Sequence, residues 1–594
     1  MSAKYVVGID LGTTNSVVAY AALDAEKPVV ETLPIPQLVA PGTIESKLSL
    51  PSFLYLPPEG QASDKAFKLP WKSKHECIVG EFARRQSAES PERTISSAKS
   101  WLCHSKVDRH QPILPWNAPA GVPKLSPVTV SQYYLEHLIS AWNQAFPKDP
   151  LAEQQVVLTV PASFDASARE LTREAALAAG LPENHLLLEE PQAAVYAWLA
   201  AVGDAWRKSL KVDSTLLVCD VGGGTTDLTL VGVAEENGEL VLRRLAVGDH
   251  LLVGGDNMDL ALAYQASQLF EKKNVKLDPW QSVSLWHQCR LAKETLLSPD
   301  APAKHSISVL GRGSKLIGGT VTVEVQREMV ADLLVEGFFP KCAPTDKPAR
   351  RRTSGFQEIG LPYESDTSVT RHLAAFLTAH GSSGVPVKPT HVLFNGGAFK
   401  ADILRSRLLE VLGEWSGAAG TKALEGEHDL DYAVARGAAY YAWAKHKGGM
   451  RIRGGTARSY YVGIETSGLA IPGAPRPLRA LCVVPFGMEE GTEHRVPSSE
   501  IGLVVGEPAQ FRFFSSAIRK TDKVGDLLPG WTDEEIAETD SLEATLPADA
   551  SLEGTYVPVR FLSRVTELGM FELWCESVNS DHRWKLEFNV REET

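Results

Sequence analysis

The sequence predicts an α/β chain of two like lobes, followed by a small all-β domain. Three observations predict it. A strand, a Gly/Thr-rich turn and a returning strand near the start are repeated much later in the chain. Around these repeats, short apolar runs alternate with helical patterns as far as residue 446. After residue 459 the helical patterns stop and short alternating runs take over.

The later copy of the repeat is the clearer one. Residues 215–233 read TLLVCDVGGGTTDLTLVGV. A β-rich run drives into Asp220, three glycines follow (Gly222, Gly223, Gly224), then Thr225, Thr226 and Asp227, then a second apolar run. Two short strands about a glycine turn read as a hairpin. Glycine lets the backbone approach a ligand and aims successive N–H groups at one point. Threonine hydroxyls add donors to an anion. Two carboxylates beside such a site make sense when a hard cation such as Mg²⁺ sits between them, usually through water. Taken alone, the stretch also suits an ordinary hairpin with a flexible tip. Residues 5–20, YVVGIDLGTTNSVVAY, repeat the design: the strand ends at Asp10, and Gly12, Thr13, Thr14 and Asn15 make the turn. Two lobes that each offer such a tip can hold a polyphosphate between them. The turns lack G-x-x-x-x-G-K-[ST], so neither is a P-loop.

Residues 24–75 are rich in proline and read as loop; residues 78–102 read as a helical region followed by a segment carrying Lys99. A lone helical lysine is most often a solvated charge. Residues 103–130 read as loop, 132–146 as helix, 155–164 as a buried strand, and 166–180 as a helix stopped at Gly180. Residues 185–202 give a strand, then Glu189-Glu190-Pro191, then an Ala-rich helix. Pro191 suits a helix start. Glu190 then stands at a strand end facing a crevice, where ligands bind in layered α/β folds; a capping carboxylate fits the local pattern equally well.

In the second lobe, residues 251–273 place the Gly254-Gly255 turn before a helix, whose free N–H groups are a second place for phosphate. Residues 287–298 read as a helix carrying Lys293, and 323–342 as another. Residues 343–368, with Arg350, Arg351 and Arg352, read as a surface insertion. Residues 390–412 give a strand, the Gly396-Gly397 turn and a helix; 429–446 is an Ala-rich closing helix. The lobes are expected at 1–212 and 213–446, a Gly- and Arg-rich linker at 447–458, and the β domain at 459–594.

Composition narrows the function classes. The length of 594 residues has a prior of about four domains. A net charge of −13 argues against broad binding to nucleic acid or anionic membranes. A strand begins by Tyr5, leaving no room for a secretory leader, and no run of about 18 apolar residues suggests a membrane span. Seven scattered cysteines without C-x-x-C argue against a disulfide framework or zinc site, and Cys219 reads as core. A cytoplasmic protein is expected.

GIDLGTTNS, VVLTVPASF, EEPQAA, VCDVGGGTTD, GGDNMD, the NGG turn and DYAVARGAA stand in the order found in the heat-shock-seventy (DnaK-like) chaperones. The chain resembles that family over roughly residues 5–445, and is identified as a divergent member of it. The wider group is the actin-like (ribonuclease H-like) ATPases. The 459–594 stretch resembles the family's substrate-binding β-sandwich more weakly, mainly through GIET at 463–466.

The resemblance implies ATP/ADP with Mg²⁺ in a cleft between lobes. It makes Asp10 and Asp220 the carboxylates that hold Mg²⁺ through water. Thr13, Thr14 and Gly222 to Thr225 become phosphate contacts, Lys99 the lysine beside the terminal phosphate, and Glu190 and Asp227 the acids near the attacking water. Gly396, Gly397 and Asp431 match adenosine-side positions. The sequence also departs from the family. Lys293 is kept, but the acidic residue expected three before it is Arg290. Lys400 replaces an arginine that packs on adenine. Leu186 stands where an arginine contacts J-domain co-chaperones. The apolar–acidic interdomain linker is replaced by basic residues, and no helical lid pattern follows the β stretch.

The leading expectation is a slow, chaperone-like ATPase that couples nucleotide state to a client or dedicated partner held by the β domain, with a J-domain or exchange-factor partner as the family would imply. The second is a nucleotide-dependent interaction or regulatory protein, exchange-factor-like, with little turnover. A small-molecule kinase of the same superfamily comes last.

Overall fold

The computed structural model describes residues 3–594 except 62–64, 73, 105–106, 117, 165, 237–238, 311–319, 350–360, 362, 382–384, 418–419, 425–428, 448–451, 454–455, 457–458, 467–476, 489–491, 499–500, 517–518, 520, 533–534, 539–541, 546–555, 566–569 and 590–594. The chain divides into two compact units, Met1–Arg451 and Ile452–Thr594. The three arginines of 350–352 and most of the expected linker lie outside the described residues.

The first unit is mixed α/β and contains two sheets of like design. In the first, β1 (Tyr5–Leu11) pairs antiparallel with β2 (Asn15–Ala22) and parallel with β3 (Gln155–Val160), which pairs parallel with β4 (Leu186–Glu189). In the second, β5 (Thr215–Val221) pairs antiparallel with β6 (Thr226–Glu236) and parallel with β8 (His391–Asn395), while β7 (Glu239–Val247) borders β6. The repeat in the sequence is therefore a repeat in topology. Each copy is a hairpin whose first strand has a parallel neighbour on its other edge. Both hairpins run further than their patterns suggested, because Leu11 and Val221 bury beyond the two aspartates and extend the ladders.

Two Ala-rich helices cover the first sheet's neighbourhood: α2 (Glu190–Val202) and α5 (Ala433–Lys447). Small side chains let backbones meet. A Cβ on Gly8 of β1 would stand 2.2 Å from the Ala435 carbonyl, and one on Gly437 would stand 1.7 Å from the Ala193 carbonyl. Other helices that reach the site include α1 (Ala98–Leu102), α3 (Gly255–Lys272) and α4 (Pro279–Leu296).

Several expectations need correction. Residues 24–75 hold a hairpin, Ile35–Ala40 with Thr43–Lys47, and short strands at Leu50–Pro51 and Leu54–Tyr55. Prolines at 36 and 51 disguised them, since proline is tolerated at strand edges. The helix at 132–146 starts earlier, at Pro127, capped by the Ser126 hydroxyl accepting from the Thr129 N–H at 3.0 Å. Helix α4 starts well before residue 287. Its cap is legible: Asp278 accepts from the Gln281 N–H at 2.8 Å, and Gln281 accepts from the Asp278 N–H at 3.0 Å. Residues 323–326 belong to a strand, Thr320–Gln326, before the helix Arg327–Phe338; their alternation fits period two.

The second unit has no helix among its described residues. One sheet holds Ser459–Glu465, Leu478–Val484 and Phe513–Ser516; another is built on Tyr556–Val565, Met570–Ser577 and Arg583–Asn589. Tyr460, Val462 and Val483 of the first share one apolar core with Val559, Phe561 and Leu573 of the second. Tyr461 points to the opposite face, into a smaller cluster with Cys482 and Phe514. All seven cysteines are free thiols.

The α2–α5 contact makes an unusual expectation. In an open helix, Gly→Ala stabilises by roughly 0.5–1 kcal/mol. At Gly437 the new methyl has nowhere to go, and overpacking costs about 1–3 kcal/mol. Gly437→Ala should therefore lower the melting temperature measured by calorimetry. An unchanged or raised melting temperature would show that the two helices can part without cost.

Candidate functional site

The two Gly/Thr turns meet. A Cβ on Gly223 would stand 1.9 Å from the Thr14 hydroxyl, and one on Gly224 would stand 2.9 Å from the Thr13 methyl. The first turn is fastened from behind by Ser52, whose hydroxyl donates to the Gly12 carbonyl at 2.7 Å and whose N–H donates to the Thr14 carbonyl at 2.9 Å. Gly12 itself has no room for a side chain, since a Cβ would lie 2.1 Å from the Asn15 carbonyl. The second turn closes through Gly222 N–H to the Thr225 carbonyl at 2.9 Å.

Above the turns lies a cavity of about 620 Å³. Of the residues picked out in the sequence, Asp10, Gly12, Thr13, Thr14, Asn15, Lys99, Glu190, Asp220, Gly222, Gly223, Thr225, Asp227, Gly255, Lys293, Gly396, Gly397, Lys400 and Asp431 line it. Gly224 and Gly254 do not, and pack behind it. Gly396 has φ +86° and stands where a Cβ would meet the Val221 carbonyl at 2.3 Å, so glycine is required there.

The expectation of free N–H groups at the start of α3 is not met. Gly254 N–H donates to the Asn257 side chain at 2.9 Å, Gly255 N–H to the Gly222 carbonyl at 3.0 Å, and Asp256 N–H to the Gly223 carbonyl at 2.7 Å. These donors hold the helix onto the turn. A Cβ on Gly254 would lie 2.7 Å from the Gly223 carbonyl, so the Gly-Gly pair serves close packing.

Three carboxylates, Glu190, Asp10 and Asp227, act on one central lysine, and Asp220 stands close to them. Lys99 is 5% exposed, which overturns the solvated reading, and it is ion-paired with Glu190. Glu190 is the first residue of α2, and Glu189, at the N-cap before it, makes no side-chain capping bond. Burial and the nearby Glu190 push the Asp10 carboxyl up to about 7, against the pull of Lys99 and of Thr159, whose hydroxyl donates to it at 3.2 Å. Burial and Glu190 push Asp220 up to about 8, opposed by Asn395, whose amide donates to it at 2.6 Å. Burial also raises Glu190, against Lys99, and raises Asp227, against hydrogen bonds from Ser163. Burial draws Lys99 down, but Glu190, Asp10 and Asp227 together raise it above the ordinary lysine value.

The rim departs from the sequence expectation in charge. Arg290 joins Asp256 and also Asp259, the latter at 2.8 Å, and Lys293 reaches Asp259 at 2.6 Å and the Gly255 carbonyl at 3.1 Å. Lys400 and Asp431, both expected on the adenosine side, pair with each other at 2.5 Å. Leu186 opens β4, half-buried in the sheet. Behind the carboxylates, Glu189 is fully buried and takes Arg169 at 3.2 Å and Arg244 at 3.0 Å.

Sequence reasoning gave no role to Asn395, Thr159, Ser163 or His250. Asn395 was one residue from the flagged Gly-Gly turn. Its Oδ1 is buried with no partner among the described residues. That oxygen, the acid cluster and the glycine cradle fit a polyanion taken together with a hard cation. Among the described residues, no group of three His, Cys, Asp or Glu side chains is gathered to hold a bare metal ion. A cation between Asp10 and Asp220 would keep its waters, which suits Mg²⁺.

Comparison with known proteins finds similarity to one class, the Hsp70 chaperones. Residues 69–345 match the family described as Hsp70 protein. The chain is 27% identical over 419 residues to chaperone protein DnaK of Thermoplasma acidophilum, a match covering 68% of this chain and 59% of that protein. It is 28% identical over 415 residues to a chaperone protein HscA homolog of Shewanella sp. strain MR-7 and to another of strain MR-4, covering 68% of this chain and 58% of each. The chain is therefore similar to Hsp70-family chaperones, in line with its motifs. It spans less than three-fifths of the length of these curated relatives. The family match contains the second hairpin, Lys99, Glu190 and Lys293, but neither residues 5–20 nor the 396–431 edge.

The raised carboxylates give a pH expectation. A folded value near 8 for Asp220 lies above its unfolded value near 3.8, so the folded state holds more protons across that window. Stability of the free protein should then fall as pH rises through it. Asp220→Asn removes the buried charge, so its melting temperature should exceed the wild type's by more at pH 8.5 than at pH 6, measured without added divalent cation. A gap that stays constant between the two pH values would count against the shift.

Proposed function

We propose that the protein binds Mg-ATP in this cavity and hydrolyses it slowly, coupling nucleotide state to a client or dedicated partner protein held by the second unit. In this reading the first unit is a two-lobed ATPase and the second a β-sandwich. The observation that carries the proposal is the buried Lys99–Glu190 pair, set among Asp10, Asp220 and Asp227 directly beside two touching Gly/Thr turns.

Phosphoryl transfer to water needs charge neutralisation and an oriented nucleophile more than a strong base. Thr13, Thr14 and the Gly222–Thr225 backbone would hold phosphate oxygens. Lys99 would neutralise charge developing on the transferred group, and Glu190 keeps that ammonium in place. Asp227 and Glu190 would orient water. Asp10 and Asp220 would hold Mg²⁺, which would supply a hard positive charge there. Apolar Leu404, Leu430 and Val434 give the nucleoside end of the cavity a dry wall.

One observation favours the second reading, a nucleotide-dependent interaction or regulatory protein with little turnover. The adenosine-side Lys400 is engaged by Asp431 and would have to be released to stack on a base.

Single-turnover hydrolysis of radiolabelled Mg-ATP separates the two. The wild type should release phosphate slowly, and Lys99→Ala and Asp10→Ala should each lower the rate by about 100-fold or more, while calorimetry still records nucleotide binding to Lys99→Ala. Binding without any phosphate release by the wild type would reject the ATPase reading in favour of the regulatory one.

A further inference from the structure

Ser163 follows β3 in the first sheet's connection. Its hydroxyl lies 2.6 Å from Asp227 Oδ1 on β6 and 2.7 Å from Nδ1 of His250, which follows β7. One hydroxyl thus joins an acid and an imidazole carried by the second sheet to a loop of the first. The Ser163 N–H also serves the Asp227 carboxylate. Phe164 sets its ring edge against His250 with centroids 5.7 Å apart.

The proton inventory fixes the direction of this chain. An ionised carboxylate only accepts, so the serine proton points at Asp227. Serine has a single proton, so its oxygen must accept from His250, and Nδ1 must carry the hydrogen. The His250 tautomer and the ionised state of Asp227 are therefore tied together through one hydroxyl.

We propose that Ser163 and His250 form a positioning pair for Asp227, turning its carboxylate so that the oxygen not held by Ser163 is presented to the attacking water. Neither residue touches the phosphate; both act through Asp227. This rests on the reading of the cavity as an ATP-hydrolysing site. Ser163 lies within the VPASF motif and His250 lies before the Gly-Gly pair, but nothing in their spacing brings them together. Only the approach of the two sheets does.

The test uses the full chain with ¹⁵N-labelled histidine, and compares wild type with Ser163→Ala, Ser163→Thr and His250→Phe. In the wild type, imidazole nitrogen shifts should report hydrogen on Nδ1 of His250, a signal assigned by its loss in His250→Phe. Ser163→Ala should move that signal away from the Nδ1-protonated pattern, and Ser163→Thr should restore it. In single turnover with saturating Mg-ATP, Ser163→Ala should slow hydrolysis by about 10- to 100-fold. Its nucleotide affinity should stay within about threefold of wild type, and Ser163→Thr should recover most of the rate. An unchanged His250 signal in Ser163→Ala overturns the pair, whether or not the protein hydrolyses ATP. If the His250 signal responds as expected while wild type shows no turnover, the pairing stands and the ATPase reading fails. Equal loss of affinity and rate in both Ser163 variants would mean a structural role only, and would also overturn the proposal.

Discussion

Two backbone turns have to touch, and no side chain can stand between them. That constraint organises the first unit. Gly223 and Gly224 press on Thr14 and Thr13, and Gly254 presses on Gly223 from behind. The contact aligns two hairpins from different sheets, and it places the strand-end carboxylates Asp10 and Asp220 on the same cavity. A methyl group at any of these glycines would hold the turns apart and displace the carboxylates carried at the adjoining strand ends.

The charge arrangement follows from that geometry. Asp10 and Asp220 occupy equivalent places in equivalent hairpins, so bringing the tips together brings like charges together. Glu190 and Asp227 add to the crowding, and Lys99 is the cation set among them. Such a cluster is poorly satisfied by protein groups alone: two of the carboxyls are pushed to about 7 and about 8, and the Asn395 oxygen beside them lacks a partner among the described residues. Unbalanced buried charge marks a place built to receive a ligand.

Much of this was legible because it is local. A strand that ends in aspartate and a run of glycine and threonine carries its geometry in a few consecutive residues, so Asp10, Thr13, Thr14, Asp220 and the Gly222–Gly224 run could be read directly. Glu190 was legible from the proline that follows it. The Gly254-Gly255 pair was read correctly as a turn before a helix, but its donors were assigned outward when the hairpin carbonyls take them. That choice depends on what packs against the turn, which spacing does not encode. Ser163 and His250 were invisible for the same reason, and so was the Lys400–Asp431 pair. The missed start of α4 was different in kind, since Asp278 and Gln281 spelled out a capping box in plain sequence. The prolines at 36 and 51 misled in the opposite sense, by suggesting loop where edge strands run.

The buried Glu189 has a kinetic meaning. Arg169 reaches it from the first sheet's side and Arg244 from β7 of the second. Any motion that widens the cavity by drawing the sheets apart pulls Arg244 off a fully buried carboxylate. Breaking a buried pair in this way costs about 3–5 kcal/mol, and each 1.4 kcal/mol is a factor of ten in rate. The dwell time of whatever occupies the cavity would then be governed by a latch that never touches it. Release could be hastened by anything that hydrates Glu189, without loosening a single contact to the occupant.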